Sequence, residues 1–162
     1  MYTFVESIID PNYCLELYVR YVKRSCSLSN QRADNDELFP LDPVEFFGRS
    51  KFNQFELTEN TSVYVHRFGH GFQMPWHQDT AYINQATISH TRPQQTLYPA
   101  TIYLNQHWNE SWGGLFQTED VIHVPKHNCG VVKGVDAVPH AITPITTDQP
   151  RLSVQIMQLE VK

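Results

Sequence analysis

The chain has no run of positive charge, no apolar stretch near the length of a bilayer span, and no cysteine pair spaced for a metal. Its 12 Lys+Arg stand against 17 Asp+Glu, a net charge of −5, which leaves no electrostatic footprint for a nucleic-acid backbone. No segment reaches the roughly 18 consecutive apolar residues a membrane helix needs, and Met1 to Pro11 carries Glu6 and Asp10 where an export leader would be apolar. The three cysteines, Cys14, Cys26 and Cys129, are odd in number and far apart, suiting reduced thiols better than a disulfide frame. A soluble, unexported protein of the cytoplasm is expected, binding neither nucleic acid nor membrane. Repeats, linkers and low-complexity tracts are also lacking, so 162 residues are expected to make one domain.

Two patterns are present. From Pro11 to about Ser25, Tyr13, Leu15, Leu17, Tyr18, Tyr21 and Val22 recur at three and four residue intervals, and Arg20, Lys23 and Arg24 sit near the end. This predicts an amphipathic helix with cations at its C-terminus, packed across a sheet. Residues 26–43 are polar and turn-rich, read as a surface loop with at most a short helical turn. Beyond residue 54 the period changes to two: Gln54–Leu57, Ser62–Phe68, Thr96–Leu104, Gly114–Gln117, Val121–Val124, Gly130–Val132 and Leu152–Leu159 read as short strands. Many short strands after helical support predict an antiparallel sandwich or barrel, with 1–53 as support and 54–162 as the β core. Thr80–Gln95 lacks periodicity and is a candidate lid or substrate-contact loop.

The chemistry-bearing residues begin with His77-Gln78-Asp79. Alternate residues on a strand share a side, so His77 and Asp79 can grip one metal while Gln78 faces away. Eight His and eight Asp in this chain would produce about 0.4 such pairs by chance, so context must carry the reading. Two imidazoles and one carboxylate on one face of iron(II), with the other positions open, make an oxygenase site. His140 is the favoured third ligand. His66 with His70, and His123 with His127, read as ordinary strand and turn histidines, and His90 and His107 fall in loops. Downstream of His140, Arg151 to Ile156 alternates strictly, with Arg151, Ser153 and Gln155 on one side. An arginine opening the inward face of a strand is costly to bury unless it meets an anion. Arg is better shaped than Lys to fork a carboxylate.

Three blocks carry a family resemblance: Arg67-Phe68-Gly69-His70-Gly71-Phe72 leading to His77-Gln78-Asp79; Ala100-Thr101-Ile102-Tyr103-Leu104-Asn105 with Trp108 and Gly113-Gly114; and Pro139-His140 with Arg151-Leu152-Ser153. On these the sequence resembles Fe(II)/2-oxoglutarate-dependent dioxygenases of the prolyl hydroxylase type. The resemblance implies a mainly β fold, a double-stranded β-helix (jelly-roll) core backed by N-terminal helices. It implies iron held by His77, Asp79 and His140, and 2-oxoglutarate held at its far carboxylate by Arg151, Ser153 and Tyr103. Trp108, Trp112, Gly113 and Gly114 read as turn and packing residues. Relatives often have a tyrosine where Phe68 stands, and Tyr64, four residues earlier, is a candidate replacement for that hydroxyl.

The implied reaction is hydroxylation of an unactivated C–H bond with Fe(II), 2-oxoglutarate and O2, supported by ascorbate and releasing succinate and CO2. A prolyl residue in a peptide or protein is the expected substrate. A free amino acid or other small molecule, or a non-catalytic jelly-roll metal-binding module, are the alternatives. Halogenating relatives place a small residue where Asp79 stands, and nucleobase demethylases usually carry a second arginine where this chain has Met157. Substrate choice is expected to lie in the N-terminal third and in Thr80–Gln95. Oligomeric state is not legible.

Overall fold

A computed structural model describes residues 2–25, 31–51, 55–56, 61–77, 98–133 and 139–161. In chain order the elements are β1 (Tyr2–Glu6), α1 (Pro11–Val22), β2 (Gln31–Ala33), β3 (Asp36–Leu41), α2 (Pro43–Gly48), β4 (Phe55–Glu56), β5 (Ser62–Phe68), β6 (Met74–His77), β7 (Tyr98–Tyr103), a 3-10 turn at Glu110–Trp112, β8 (Phe116–Gln117), β9 (Ile122–His123), β10 (Cys129–Lys133), β11 (His140–Ile142) and β12 (Arg151–Val161).

Both helices start on the same local chemistry. Asp10 and Asp42 accept the backbone N–H of Tyr13 and Val44 at 3.0 and 2.8 Å, and each is followed by a proline whose missing N–H costs nothing at the first helical position. α1 ends at Val22, short of the expected Ser25, and Arg24 lies 5.3 Å from the Tyr21 ring centroid.

The strands form two antiparallel sheets. The major sheet runs β1-β10-β7-β12-β5-β3-β2, with β4 pairing the end of β12; the minor sheet runs β6-β11-β8-β9. From β5 onward the chain alternates between them: β5 major, β6 minor, β7 major, β8 and β9 minor, β10 major, β11 minor, β12 major. That winding is the double-stranded β-helix, and it lets residues distant in sequence meet between two facing sheets.

Alternation along β12 divides the interior in two. Leu152, Val154 and Ile156 join Val63, Val65, Ala100 and Ile102 on the outer face of the major sheet, where Tyr13, Cys14, Leu17 and Tyr21 of α1 cover them. Arg151, Ser153 and Gln155 face the other way, toward the minor sheet. Arg67, on the helix side of β5, donates to Glu37 and to the carbonyl of Tyr21, tying the end of α1 to the sheet.

The loop reading of residues 26–43 is corrected by the structure. β2 and β3 occupy the described part of that stretch, and β3 pairs with β5 from Asp36↔Phe68 to Leu41↔Val63. Phe39 is buried at 2% exposure. The prolines concealed this strand, yet Pro40 sits beyond the reach of β2, on an edge where no ladder N–H is required. β1, also unforeseen, extends the sheet on its opposite side by pairing with β10. Thr80–Gln95 lies outside the described residues.

Candidate active site

The inner face of the minor sheet carries two of the expected metal-binding side chains. His77 and His140, 63 positions apart in sequence, are direct cross-strand partners in the β6–β11 ladder, with ring centroids 4.2 Å apart. His140 is 1% exposed. The His77 Nδ1 lies 2.7 Å from the carbonyl oxygen of Pro75. A carbonyl only accepts, so Nδ1–H donates and Nε2 is the nitrogen that carries the lone pair, the second-sphere arrangement that fixes a ligating imidazole. Asp79 and Gln78 lie outside the described residues, and the described ones contain no group of three potential ligands. Two adjacent imidazoles with one tautomer fixed in this way fit iron(II).

Opposite them, on the major sheet, Arg151 is 1% exposed and its Nε and Nη1 have no hydrogen-bond partner. Its guanidinium carbon sits 5.0 Å from the Tyr103 ring centroid and 5.5 Å from that of Phe68. Burial pushes the guanidinium pKa below its ordinary value, opposed by the charge and hydrogen bond of Tyr103. Burial likewise pushes the Tyr103 phenol up, with Arg151 opposing. Ser153, also 1% exposed, lies in the ladder between Tyr103 and His66. Forked donors sealed from water without an acceptor are expensive, and a carboxylate, with about four lone-pair sites, supplies what they lack. The donor set fits the far carboxylate of 2-oxoglutarate.

The Tyr-Leu-Asn, Trp, Gly-Gly block holds this arginine in place. Asn105 donates from its amide to the Pro150 carbonyl at 2.9 Å and accepts the Leu152 N–H at 2.7 Å, clamping the backbone on both sides of Arg151. Trp108 Nε1–H donates to the Gly113 carbonyl at 2.8 Å. Gly113 and Gly114 follow at φ +69° and +65°, conformations L side chains avoid. A Cβ on Gly113 would overlap the Pro144 carbonyl, and one on Gly114 would stand 2.9 Å from Arg151 Cδ. These residues thus act in turn and packing, as expected, and Asn105 adds a positioning role the sequence reading did not assign.

The remaining histidines separate clearly. His66 pairs with Asp36 at 2.8 Å and His70 with Asp148 at 3.0 Å, both structural contacts. His123, within the segment Val121–Val124 that reads as a strand, lies on β9 opposite Phe116, its ring 5.7 Å from Tyr103. Phe68 stacks on Phe72 at 3.6 Å. Tyr64 pairs across the ladder with Gln155, whereas Phe68 pairs with Arg151. Four residues of strand put roughly 13 Å between them, so Tyr64 does not reach the arginine end of the site.

A cleft lined by Trp76, Gln117, Asp120, Ile122 and Pro139 lies behind the histidines. Trp76 alternates with His77, and Gln117 pairs with Ile122, so these side chains share the outer face of the minor sheet. The cleft is separate from the space between the sheets.

A facing-sheet interior with two imidazoles on one wall and a buried arginine fork on the other defines a jelly-roll oxygenase. Residues 63–157 match the model of the 2OG-Fe(II) oxygenase superfamily, and the chain belongs to that family. It is a 2-oxoglutarate-dependent dioxygenase that uses Fe(II), 2-oxoglutarate and O2. Among solved structures it resembles the viral collagen prolyl hydroxylase of Paramecium bursaria Chlorella virus-1 in complex with 2-oxoglutarate, at 15% identity and TM-score 0.61 over 99% of this chain and 96% of that one. A prolyl-4-hydroxylase of Pseudomonas putida matches at 17% identity and TM-score 0.61, over 99% and 92%. A Trichoplax adhaerens prolyl hydroxylase, solved with a peptide fragment of hypoxia inducible factor, matches at 13% and 0.57, over 98% and 83%. At these identities the likeness is one of fold. None of the curated protein sequences matches the chain. No helix among the described residues is long and apolar enough to cross a membrane.

Proposed function

We propose that this chain hydroxylates a prolyl residue in a peptide or protein, as a single domain over residues 1–162. His77, Asp79 and His140 would hold the iron, and Arg151, Ser153 and Tyr103 the far carboxylate of 2-oxoglutarate. When bound, the iron centre supplies the oxidant: one atom of O2 enters the substrate C–H bond, the other goes to succinate, and CO2 leaves. The chain's own contribution is positional. Pro75 orients His77, Asn105 and Gly114 set Arg151, and Phe68, Phe72 and Trp108 form an apolar wall that excludes water from the arginine.

The observation that carries this reading is Arg151, sealed between the sheets with two unpaired donors. A non-catalytic metal-binding jelly roll has no use for it. The prolyl substrate rests on the fold shared with prolyl hydroxylases, one of them solved with a peptide, and on the three motif blocks. Cytoplasmic location, an ascorbate requirement and the lack of nucleic-acid partners belong to the same proposal.

The test is succinate formation under air by purified protein with Fe(II), ascorbate and a pool of proline-containing peptides. Turnover lost in both His77→Ala and Arg151→Ala, with one peptide heavier by an oxygen atom, supports the proposal. Turnover on free proline or another small molecule, and none on peptides, refutes the peptide assignment. No turnover on any of them refutes the site assignment as well.

A further inference from the structure

The second buried group without a partner lies across from Arg151. Like Nε and Nη1 of Arg151, the His123 Nε2 is buried without a hydrogen-bond partner among the described residues. β9 pairs with β8 through Phe116↔His123, and β8 with β11 through Ile142↔Phe116, so His123 shares the inner face of the minor sheet with Phe116, Ile142 and His140. Its ring centroid is 4.5 Å from that of Phe4 on β1 and 5.7 Å from that of Tyr103 on β7. Tyr103 therefore has Arg151 on one side and His123 on the other, from opposite sheets.

We propose that His123 is a further donor to the far carboxylate of 2-oxoglutarate, beside Arg151 and Tyr103, and that it enforces the preference for 2-oxo acids carrying that second carboxylate. The inference rests on Arg151 being the co-substrate anchor. An imidazole nitrogen buried without a partner costs free energy, and in its Nε2–H tautomer His123 stands with the unpaired guanidinium nitrogens as a further donor. A carboxylate between them accepts from both. Burial first, then Arg151 and Lys126, lowers the His123 pKa, which favours the neutral ring; with its proton on Nε2 that ring donates without a second buried charge. A histidine serving only to fill space between Phe4 and Tyr103 would gain nothing from its ring nitrogens, and phenylalanine would serve as well.

The test is calorimetric titration of Mn(II)-loaded protein with 2-oxoglutarate and with pyruvate, the 2-oxo acid without the far carboxylate. In His123→Phe, 2-oxoglutarate is expected to bind ten- to a hundredfold more weakly, the scale of a lost hydrogen bond to a charged group. Pyruvate affinity should stay within about twofold. His123→Gln, which keeps a side-chain N–H, should recover most of the loss. Equal weakening of both ligands, or of neither, overturns the inference. Arg151→Ala separates it from the reading beneath it. If Arg151→Ala loses 2-oxoglutarate and both His123 variants retain it, only the role of His123 is refuted. If Arg151→Ala binds like wild type, the co-substrate site itself is misplaced and both fall.

Discussion

Replacing Arg151 by methionine should remove co-substrate binding without destabilising the ligand-free fold. The guanidinium is buried with Nε and Nη1 unpaired, and exchange of buried charge for apolar volume is often neutral or stabilising by about 1–4 kcal/mol. Against this stand the hydrogen bond to Tyr103 and the stacking on Phe68 and Tyr103, together worth about 1–3 kcal/mol. Methionine keeps the unbranched stem that packs on Gly114. The expected result is a melting temperature within a few degrees of wild type without ligand. With Mn(II) and 2-oxoglutarate at 100 times the dissociation constant, wild type gains about 2.7 kcal/mol by mass action, a rise of roughly 5–11 °C at 2–4 °C per kcal/mol. Arg151→Met should show no rise. Differential scanning calorimetry reads both effects. A ligand-free loss of about 3–5 kcal/mol, the size expected when a buried ion pair is broken, would show that Arg151 already has an anionic partner in the fold, and the anion-site argument would fail.

Asn105→Ala strands the Leu152 N–H and releases Pro150, so urea denaturation should show a loss of about 2–4 kcal/mol; an unchanged midpoint would refute the clamp. In the same variant 2-oxoglutarate should bind at least tenfold more weakly by calorimetry, because the backbone carrying Arg151 is freed. Gly114→Ala pays about 1–2 kcal/mol for its left-handed conformation and pushes Arg151 Cδ, so it should fold yet lose co-substrate affinity. Gly113→Ala, blocked by the Pro144 backbone, should not accumulate as soluble protein; equal behaviour of the two variants would contradict the distinction. Burial pushes the Cys14 thiol from its ordinary value near 9 up to about 12. The folded state therefore holds a proton that the unfolded chain releases, so this contribution is intact below about pH 9 and declines by about 1.4 kcal/mol per pH unit toward pH 12. Cys14→Ala should flatten that alkaline limb in pH-dependent denaturation.

What the sequence revealed and what it concealed divide along physical lines. Period-two alternation located β5 and the start of β12, because each has one face on the helix layer and the other toward the minor sheet, so neighbouring residues differ in kind. β3 lacks that contrast: polar Glu37 faces the helix side with Phe39, and Pro40 suggests a break. β1 is short, at an edge, with a half-exposed Phe4. β6 and β11 are four and three residues long, too short for any period to show, so His77 and His140 stood out by the H-x-D spacing and by the alternating strand that follows His140, not by the strands that carry them. His123 was concealed for a related reason. β9 has two residues, and nothing local distinguishes an inward histidine there from one in a turn.

The site also explains why Tyr103, Asn105, Trp108 and the two glycines belong to one block of sequence. Each acts on Arg151 or on what touches it: Tyr103 accepts a hydrogen bond from it, Asn105 fixes the backbone on either side, Trp108 holds the turn, and Gly114 leaves room for its stem. A buried arginine with donors free for a ligand is unstable in the sense that any slack lets it swing toward a carbonyl or toward solvent, relieving its cost and losing its aim. Over-determination from a neighbouring loop is the physical remedy. Weakening any one support should therefore reduce co-substrate affinity more than it reduces stability, and the ratio of the two losses measures how closely that support is tied to the arginine.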